Sequence, residues 1–408
     1  MILTGKKLFL NDNKDLLAAT VLIISFIIAI IYACLLLYYG ISWNAITNYE
    51  LRITDQPIGG AVILSVIIPA RNEEKNIRQC LDSLINQSYS SALYEVIVVD
   101  DHSEDNTAAV IRSYSHKNVR LISLKDHVTD RLNSYKKKAI ETAISQAKGK
   151  LIVTTDADCI APVKWLQTIA DFYEEQLPAF IAMPVAVNEQ NRFIEIFQSL
   201  DFMTLQGITG AVVSKKQMTM CNGANMAYER DAFFEVNGFT GIDDLASGDD
   251  MLLMNKISKR YPDRVLFLKS TDVIIQTEPV HTTAQFMNQR IRWASKSDKY
   301  DDKRILPVLL LVYLFNCLLI ALPVIAIFNN NGLSTINCQL STISIWLILL
   351  IIKTVAELIF LFPVAKFFSK KRLLFWFPFM QPFHIIYTVI AGWLGKFGSY
   401  QWKGRNVN

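Results

Sequence analysis

Four long apolar segments constrain the fold of this chain more than any other feature. They are residues 16–40, 305–328, 341–365 and 373–395. Three of them carry no charged side chain, and the segment 341–365 carries only one lysine and one glutamate. A helix needs about 20 predominantly apolar residues to cross a hydrocarbon core of about 30 Å. The sequence therefore predicts transmembrane helices, and the first is too long for the apolar core of a cleaved signal peptide, which has about 7 to 15 residues.

The composition supports a membrane protein and excludes other classes. Hydrophobic residues make up 51% of the 408 residues and charged residues only 19%, whereas soluble domains average about 25% charged residues and disordered chains are poor in apolar ones. The net charge of +4 is too small to indicate a nucleic-acid partner. The six cysteines form no CxxC pair, so we expect reduced thiols rather than a disulfide framework or a zinc site.

One soluble domain is expected between the first two apolar segments. Residues 41–304 have an ordinary soluble composition and are long enough for one sizeable core. The loop 329–342 carries no charge, which is typical of the outside, whereas four basic residues within 366–372 favour the cytoplasm. We therefore expect a multi-pass protein of the cell inner (plasma) membrane with the domain 41–304 in the cytoplasm. Three lysines in the N-terminal tail 1–15 favour the opposite orientation.

The last apolar segment has two interpretations. Pro378 and Pro382 interrupt residues 373–395, and the tail 396–408 that follows is basic. A membrane-spanning helix fits this pattern, and so does a broken, re-entrant helix that returns the tail to the cytoplasm.

One apolar segment contains an ionisable pair. Lys353 and Glu357 lie four residues apart within 341–365. Such a pair is costly in a membrane and should face protein or a polar cavity. A functional site and a neutralising structural pair both fit this spacing.

Within the soluble segment, the patterns of buried strands and helices alternate. The strand patterns cover residues 61–70, 94–101, 119–124 and 150–158. Helical patterns separate them, and the first places Ile77, Leu81, Leu84 and Ile85 on one face. Strand, helix and strand in succession predict right-handed crossovers and a mainly parallel sheet of the α/β class. Ligands bind such sheets beyond the carboxyl ends of the strands.

Two strands of the predicted sheet end in pairs of carboxylates. Asp100 and Asp101 end one strand, and Asp156 and Asp158 end another. A single aspartate at such a position often caps the next helix or turn, but two pairs at one edge indicate a ligand site. Carboxylate oxygens are the ligands that Mg²⁺ or Mn²⁺ prefer, usually together with substrate phosphates.

Several motifs in a fixed order carry a family resemblance. They read LSVIIPARNEEKNIRQCLDSLINQSY, VIVVDDHSEDNT, YKKKAI, TTDADC, CNGANMAYERDAF, SGDDMLL and QRIRW. The chain resembles the family 2 glycosyltransferases of the GT-A fold, which is Rossmann-like with a mainly parallel sheet. It is most similar to the membrane-integrated branch that includes cellulose, hyaluronan and poly-N-acetylglucosamine synthases and ceramide glucosyltransferase. The match covers residues 61 to 295, and its DxD, GDD and QxxRW elements are specific in combination.

The resemblance implies an inverting sugar transfer from a nucleotide-sugar donor, with Mg²⁺ or Mn²⁺ as cofactor. By position in the motifs, Asp250 is the catalytic base and Asp158 the metal ligand. The implied donor-binding residues are Ala70, Asn72, Glu73, Asp101, Lys136, Lys137 and Asp156. The implied residues for the acceptor and the diphosphate are Gly223, Asn225, Asp249, Gln289, Arg292 and Trp293. The family usually has glycine before the lysine pair, where this chain has Tyr135.

Each of these elements also has a purely structural interpretation. Asp250 precedes a helical pattern and suits a helix N-terminus, and the lysine run suits a solvated helix start. Gly223 and Asn225 suit core packing. Residues 283–304, which contain QxxRW, suit an interfacial helix on anionic lipid.

Three functions fit the sequence. The preferred one is transfer of a sugar from a nucleotide sugar, by family precedent a UDP-sugar, to a membrane-associated lipid or lipid-linked acceptor. The alternative is a processive synthase that polymerises and exports a glycan; QxxRW favours it, but three or four spans provide little material for a channel. A catalytically inactive membrane binding protein is the third, and the presence of all the expected aspartates argues against it. The expected partners are the donor, a lipid or glycan acceptor and the membrane, without nucleic acid, and the oligomeric state is open.

Overall fold

Two compact units make up the chain. Residues 42–282 and 299–303 form one, which we call the α/β unit, and residues 1–41, 283–298 and 304–408 form the other, which we call the helical unit. The computed structural model describes residues 2–51, 62–114, 118–127, 134–243, 245, 248–295, 302–328, 342–397, 400–402 and 405–407. Within these ranges it describes the side chains of residues 20 to 397.

The strands and helices of both units follow in chain order. The strands are β1 (Leu64–Ala70), β2 (Tyr94–Asp100), β3 (Val119–Ser123), β4 (Leu151–Thr154), β5 (Cys159–Ile160), β6 (Phe180–Ala182), β7 (Val185–Val187), β8 (Met226–Glu229), β9 (Val265–Phe267), β10 (Ile275–Thr277), β11 (Tyr400–Trp402) and β12 (Arg405–Val407). The helices are α1 (Ile2–Asn44), α2 (Ile77–Ile85), α3 (Thr107–Arg112), α4 (Tyr135–Gln146), α5 (Trp165–Gln176), α6 (Phe193–Ser214), α7 (Arg230–Glu235), α8 (Met251–Arg260), α9 (Thr283–Ala294), α10 (Ile305–Phe328), α11 (Thr342–Phe367) and α12 (Phe377–Phe397).

The central sheet of the α/β unit has seven strands in the order β3-β2-β1-β4-β8-β6-β9. The strands β1 to β4 pair in parallel, with Leu64 of β1 opposite Tyr94 on one side and Leu151 on the other. β8 runs antiparallel between β4 and β6, and β9 pairs in parallel with β6. The predicted α/β class with a mainly parallel sheet is therefore confirmed.

The first two strands are buried on both faces, as expected of central parallel strands covered by helices. Five of the seven residues of β2 are hydrophobic and buried, and β1 is buried along nearly its whole length. The helix α2 adds Ile77, Leu81 and Leu84, which have no exposed surface. Each such side chain contributes about 1.5–3 kcal/mol through burial. The helical face predicted for this segment is therefore part of the core.

A second, three-stranded sheet has the order β5-β10-β7. Sequence patterns did not predict these strands or β6, β8 and β9, because runs of two to four residues are too short to show a period. The predicted strand 150–158 ends at Thr154, and β5 begins at Cys159. Asp156 and Asp158 therefore lie in the connection between two strands.

Long apolar helices characterise the helical unit. Among the described residues, three stretches are long and apolar enough to cross a membrane, namely Thr20–Asn44, Ile305–Ile327 and Thr342–Phe367. The first belongs to α1, which already begins at Ile2, within the predicted tail 1–15. The last apolar segment forms a short 3-10 helix, Lys371–Phe375, followed by α12 with Pro382 inside it. The uncharged loop that was expected outside the membrane lies almost entirely outside the described residues.

Candidate active site

The ends of several strands meet at one edge of the central sheet. Ala70 lies opposite Asp100 at the ends of β1 and β2, and the register places Thr154 at the end of β4 on the same edge. Because β8 is antiparallel, its first residue Met226 lies opposite Thr154. The segments that follow β1, β2 and β4 and the segment that precedes β8 therefore converge. These segments contain the PARNE, DD, DAD and CNGAN motifs.

A lysine joins two of the predicted carboxylates at this edge. The Nζ atom of Lys136, in the first turn of α4, lies 2.9 Å from Oδ1 of Asp156 and 3.1 Å from Oδ2 of Asp249. Burial by itself would lower the pKa of Lys136, but the charges of Asp156, Asp249 and Asp250 outweigh it and raise the pKa. Lys136 is therefore a permanent cation between the DxD and GDD motifs.

Asp250 is held at the N-terminus of α8. Its Oδ1 accepts a hydrogen bond from the backbone N–H of Met251 at 2.7 Å, and its Oδ2 accepts one from Gly223 at 3.3 Å. Gly248 makes the turn before it with a φ of +84°, a conformation that L side chains rarely adopt. The carboxylate of Asp250 is thus oriented by two backbone donors from different segments. The helix-capping interpretation is therefore observed, and the predicted role of Asp250 as the catalytic base stays a prediction.

Gly223 allows a close approach of backbone to these carboxylates. A Cβ atom at this position would lie 3.1 Å from Oδ2 of Asp249 and 3.5 Å from Nζ of Lys136. Its carbonyl accepts a hydrogen bond from Thr154 Oγ1 at 3.1 Å. The absence of a side chain at Gly223 therefore keeps space beside the charged groups.

Asp158 and Asp156 of the DxD motif carry carboxylates of the kind that a divalent cation prefers. Both are partly exposed, and both lie near the buried thiol of Cys80, whose pKa is raised by burial first and then by these two carboxylates. Among the described residues, no three His, Cys, Asp or Glu side chains come together. The carboxylate of Asp158 fits a Mg²⁺ or Mn²⁺ ion that completes its shell with water and substrate phosphates, and its predicted role as the metal ligand stays a prediction.

The PARNE loop is bound to the loop after β2. The backbone N–H of Asn72 donates to Ser103 Oγ at 3.0 Å, and its Oδ1 accepts from the N–H of Glu104 at 2.8 Å. The N–H of Glu73 donates to Thr107 Oγ1 at 2.8 Å. Asn72 and Glu73 therefore fix two loops at the site, and their predicted contact with the donor stays a prediction.

Three residues beside Asp101 were not predicted. The almost fully buried Asp101 donates its backbone N–H to Ala70 at 2.8 Å and lies 3.0 Å from Nδ1 of His102. Arg71 Nη1 donates to the Asp101 carbonyl at 3.1 Å. The His102 ring meets the edge of the Tyr135 ring, with 5.6 Å between centroids. The tyrosine that replaces the family's glycine was the signal in the sequence for this aromatic pair.

The structure corrects the expected position of two side chains. Asn225 is fully buried: its amide nitrogen donates to the carbonyls of Pro184 and Val273, each at 2.7 Å, and its Oδ1 accepts from Trp165 Nε1 at 3.0 Å. This amide makes these hydrogen bonds within the core, as the core-packing interpretation of Asn225 predicts. Lys137 is also buried, and its Nζ donates to the carbonyls of Ile242 and, at 2.8 Å, Leu245. It binds the segment before GDD, whereas Lys136 meets the carboxylates.

The QxxRW residues lie on α9, in the helical unit. Gln289, Arg292 and Trp293 occupy consecutive turns of this helix. Arg290, which the motif does not include, is buried, and its guanidinium lies 4.2 Å from the centroid of the Trp293 ring. Its Nη1 donates to Gln289 Oε1 at 3.2 Å. Arg290 therefore contacts two of the three motif residues.

Two family models match the chain. Residues 65–236 match the model described as glycosyl transferase family 2, and residues 151–394 match glycosyl transferase family group 2. The second match covers more than half of the chain. The chain belongs to the family 2 glycosyltransferases. The resemblance predicted from the motifs is therefore confirmed, and the site lies within the matched residues.

Among curated relatives, the glycosyltransferase AglE of Haloferax volcanii is 36% identical over 106 residues, which are 26% of this chain and 33% of AglE. The dolichyl-phosphate beta-glucosyltransferase of Dictyostelium discoideum is 34% identical over 120 residues, 27% of this chain and 35% of that protein. The probable glycosyltransferase YdaM of Bacillus subtilis is 26% identical over 237 residues, 57% of this chain and 54% of YdaM. This glycosyltransferase thus spans only a third to about half of the length of these relatives.

A solved structure matches nearly the whole chain. It is the mannosyltransferase PcManGT from Pyrobaculum calidifontis in complex with GDP-Man and Mn²⁺, with a TM-score of 0.55 and 16% identity, covering 93% of this chain and 99% of that chain. At this identity the likeness shows the fold alone. It supports the GT-A fold.

Proposed function

We propose that this glycosyltransferase moves a sugar, with inversion, from a nucleotide-sugar donor to a membrane-associated lipid or lipid-linked acceptor, in the presence of a divalent cation. The observation that carries the proposal is the cation of Lys136 between Asp156 of DxD and Asp249 of GDD, 2.9 Å and 3.1 Å away. Donor-binding and proton-accepting motifs thus share one small site at the carboxyl edge of the sheet. That edge is where α/β sheets bind ligands.

On the donor side, the departing group is a nucleoside diphosphate. A Mg²⁺ or Mn²⁺ ion held by Asp158 would supply Lewis-acid stabilisation of the charge that develops on it. Lys136 is a compact cation that can move from the carboxylates to the phosphates. In this proposal Asp156 contacts the ribose and the diphosphate of the donor, and the buried Asp101, which Arg71 and His102 hold, contacts the base or the ribose.

On the acceptor side, Asp250 takes the proton from the attacking hydroxyl. Direct displacement with inversion requires a base on the face opposite the leaving group. The N–H groups of Met251 and Gly223 hold the Asp250 carboxylate in one orientation. Such preorganisation keeps the base within reach of the hydroxyl without reorganisation during the reaction.

The proposed acceptor follows from the apolar helices and the relatives. Three helices are long and apolar enough to cross a membrane, so a lipid acceptor would be delivered by the bilayer itself. The relative from Dictyostelium discoideum is named for a dolichyl phosphate. We place the enzyme in the inner (plasma) membrane with several spans and the α/β unit in the cytoplasm, where nucleotide sugars are made. By their place in the motif, we also propose that the QxxRW residues Gln289, Arg292 and Trp293 bind the diphosphate and the acceptor.

The test is a product assay on the full chain in lipid vesicles. Labelled UDP-sugars and GDP-sugars are supplied with Mn²⁺ or Mg²⁺ and a polyprenyl phosphate. The products are then extracted, and their masses are determined by mass spectrometry. We expect a glycolipid that carries one sugar. Its formation should stop with Asp250→Asn and continue with Asp263→Asn, a matched control on an exposed aspartate that pairs with Lys216 at the surface.

Two results would contradict the proposal. Transfer that survives both Asp250→Asn and Asp158→Ala would remove the assigned base and metal ligand. A labelled polymer of high mass, protected inside the vesicles, would replace single transfer by the processive synthase.

A further inference from the structure

A buried polar cluster joins three helices of the helical unit. It consists of the buried Tyr32, Lys353, Glu357 and Gln381 and the half-buried His384. The Nζ atom of Lys353, which has no exposed surface, lies 2.6 Å from Glu357 Oε1, 2.8 Å from Gln381 Oε1 and 3.3 Å from His384 Nδ1. Gln381 Nε2 and Tyr32 Oη donate to the Glu357 carboxylate. Lys353 and Glu357 therefore bind not only each other but also side chains of α12 and α1.

These additional bonds go beyond what neutralisation requires. Lys353 and Glu357 are four residues apart on α11 and neutralise each other within that helix. Gln381 binds both of them at once, its oxygen to the lysine and its nitrogen to the glutamate. In apolar surroundings, hydrogen bonds between helices stabilise their association. The cluster therefore fixes the rotation and the depth of α12 relative to α11.

The same helix α12 packs against α9. Phe286 of α9 lies 5.2 Å from the ring centroid of Tyr387 and 6.0 Å from that of Phe383. A Cβ atom on Gly395 would lie 2.6 Å from the Cβ of Ala294, so the two backbones are in close contact there. His384 of the cluster meets the Tyr387 ring edge-on at 5.4 Å. One turn of α12 thus contacts the cluster on one side and α9 on the other.

Within α9, the packing continues to the QxxRW residues. The guanidinium of Arg290 lies 4.5 Å from the Phe286 ring centroid and 4.2 Å from that of Trp293. Its Nη1 also binds Gln289. Arg290 therefore connects the residue that packs on α12 with two members of the motif.

We propose that the buried cluster positions the QxxRW motif: Lys353 and Glu357 hold Gln381 and His384, and α12 in turn holds α9 through Phe286 and Arg290. Gln381, Phe286 and Arg290 are positioning residues and need not touch the substrate. The catalytic consequence rests on the proposed function, in which QxxRW meets the diphosphate. The mechanical link between α12 and α9 does not depend on it.

The test breaks the link at Gln381 and leaves the ion pair of α11 intact. Gln381→Met keeps the side-chain volume but removes both bonds to the pair. The matched control is Trp346→Phe, which removes the bond from Trp346 Nε1 to the Leu319 carbonyl at 2.9 Å, between α11 and α10. Hydrogen exchange of the full chain in vesicles reports on α9 directly. We expect exchange of residues 284–294 to accelerate about tenfold in Gln381→Met and to stay unchanged in Trp346→Phe.

Kinetics and a second variant complete the test. In Gln381→Met we expect kcat to fall about tenfold while the donor KM changes less than about twofold. The reason is that the contacts between QxxRW and the diphosphate strengthen as negative charge develops on the leaving group. Lys353→Met with Glu357→Leu removes both charges without leaving one unpaired, and it should reproduce both effects. Unchanged exchange in α9 in both variants would overturn the proposal. Faster exchange with an unaltered kcat would overturn the positioning role, whereas faster exchange in a protein whose wild type transfers no sugar would refute only the proposed function.

Discussion

The Nζ atom of Lys136 lies 2.9 Å from Oδ1 of Asp156 and so joins the first turn of α4 to the loop after β4. On its other side it reaches Asp249, next to Asp250. A substrate diphosphate would compete with both carboxylates for this cation. Lys136 therefore connects donor binding with the segment that carries the proposed base.

Lys136→Met should reduce kcat/KM by about 10²–10³, the cost of removing one group that stabilises developing negative charge. Because the pKa of Lys136 is raised, its ammonium group stays charged even at pH values above the ordinary pKa of lysine. The stabilisation that this charge provides is lost only as the pH rises through the higher pKa of the folded protein. The wild-type rate profile should therefore show no alkaline limb from this residue. Lys138→Met is the control, because Lys138 is exposed and pairs with Glu141 one turn away. Equal losses in the two variants would contradict the assignment.

Lys137→Met should give a different kinetic signature. Lys137 binds the carbonyls of Ile242 and Leu245 before GDD, so its loss should loosen the segment that delivers Asp250. We expect kcat to fall about tenfold with the donor KM within about twofold of the wild type. Initial rates over a range of donor concentrations measure both. A large rise in donor KM alone would show that Lys137 binds the diphosphate after all.

Gly223→Ala should impair transfer with little loss of stability. The new methyl group would lie 3.1 Å from Oδ2 of Asp249 and would displace this carboxylate or Lys136. A displacement of this size at reacting groups costs about tenfold or more in rate. Gly241→Ala is the control: its φ of +83° makes alanine strained, but an added Cβ would have no atom of the described residues, its chain neighbours aside, within 4 Å. The control should lower the melting temperature and keep the rate, which is the reverse of the expected result for Gly223→Ala.

Asn225→Ala should act on stability rather than on acceptor binding. It leaves Trp165 Nε1 and the carbonyls of Pro184 and Val273 without their present partner in the core. Each buried polar group that loses its hydrogen-bond partner lowers the free energy of unfolding by about 1–3 kcal/mol. Thermal unfolding should show a large decrease in the melting temperature of Asn225→Ala. The control Asn188→Ala, at an exposed position, should change the melting temperature little. A variant of normal stability with a raised acceptor KM would restore Asn225 to the binding site.

Much of this site was predictable because parallel strands bring their carboxyl ends to one edge. The apolar runs of β1, β2 and β4 indicated the sheet, and the aspartates after them had to lie close together. The antiparallel β8 was not predictable from its four residues, although it is the strand that brings Gly223 to the same edge.

Individual orientations were not predictable in the same way. Lys136 and Lys137 are consecutive in α4, and adjacent helical positions point in directions about 100° apart, so only the packed structure distinguishes the carboxylate partner from the loop partner. Asn225 has the residue type of a sugar-binding group, but composition does not reveal that its amide is buried. Arg290 lies between the motif positions, and its contacts were not predictable because a sequence does not show that a guanidinium packs between two rings.

Lys269 should make stability depend on pH at the end of α1. Its Nζ donates to the carbonyls of Trp43 at 2.9 Å and Ile46 at 3.0 Å, and burial lowers its pKa to about 8. Between this value and the ordinary pKa of about 10.5, the unfolded chain binds more protons than the folded one. The free energy of unfolding should therefore rise with pH from about 8 to about 10, and this rise should disappear in Lys269→Met. Thermal unfolding of both proteins across this range measures it; the variant Lys259→Met, at an exposed position, controls for other titrating groups. Identical pH dependence in all three proteins would show that burial does not hold Lys269 in its neutral form.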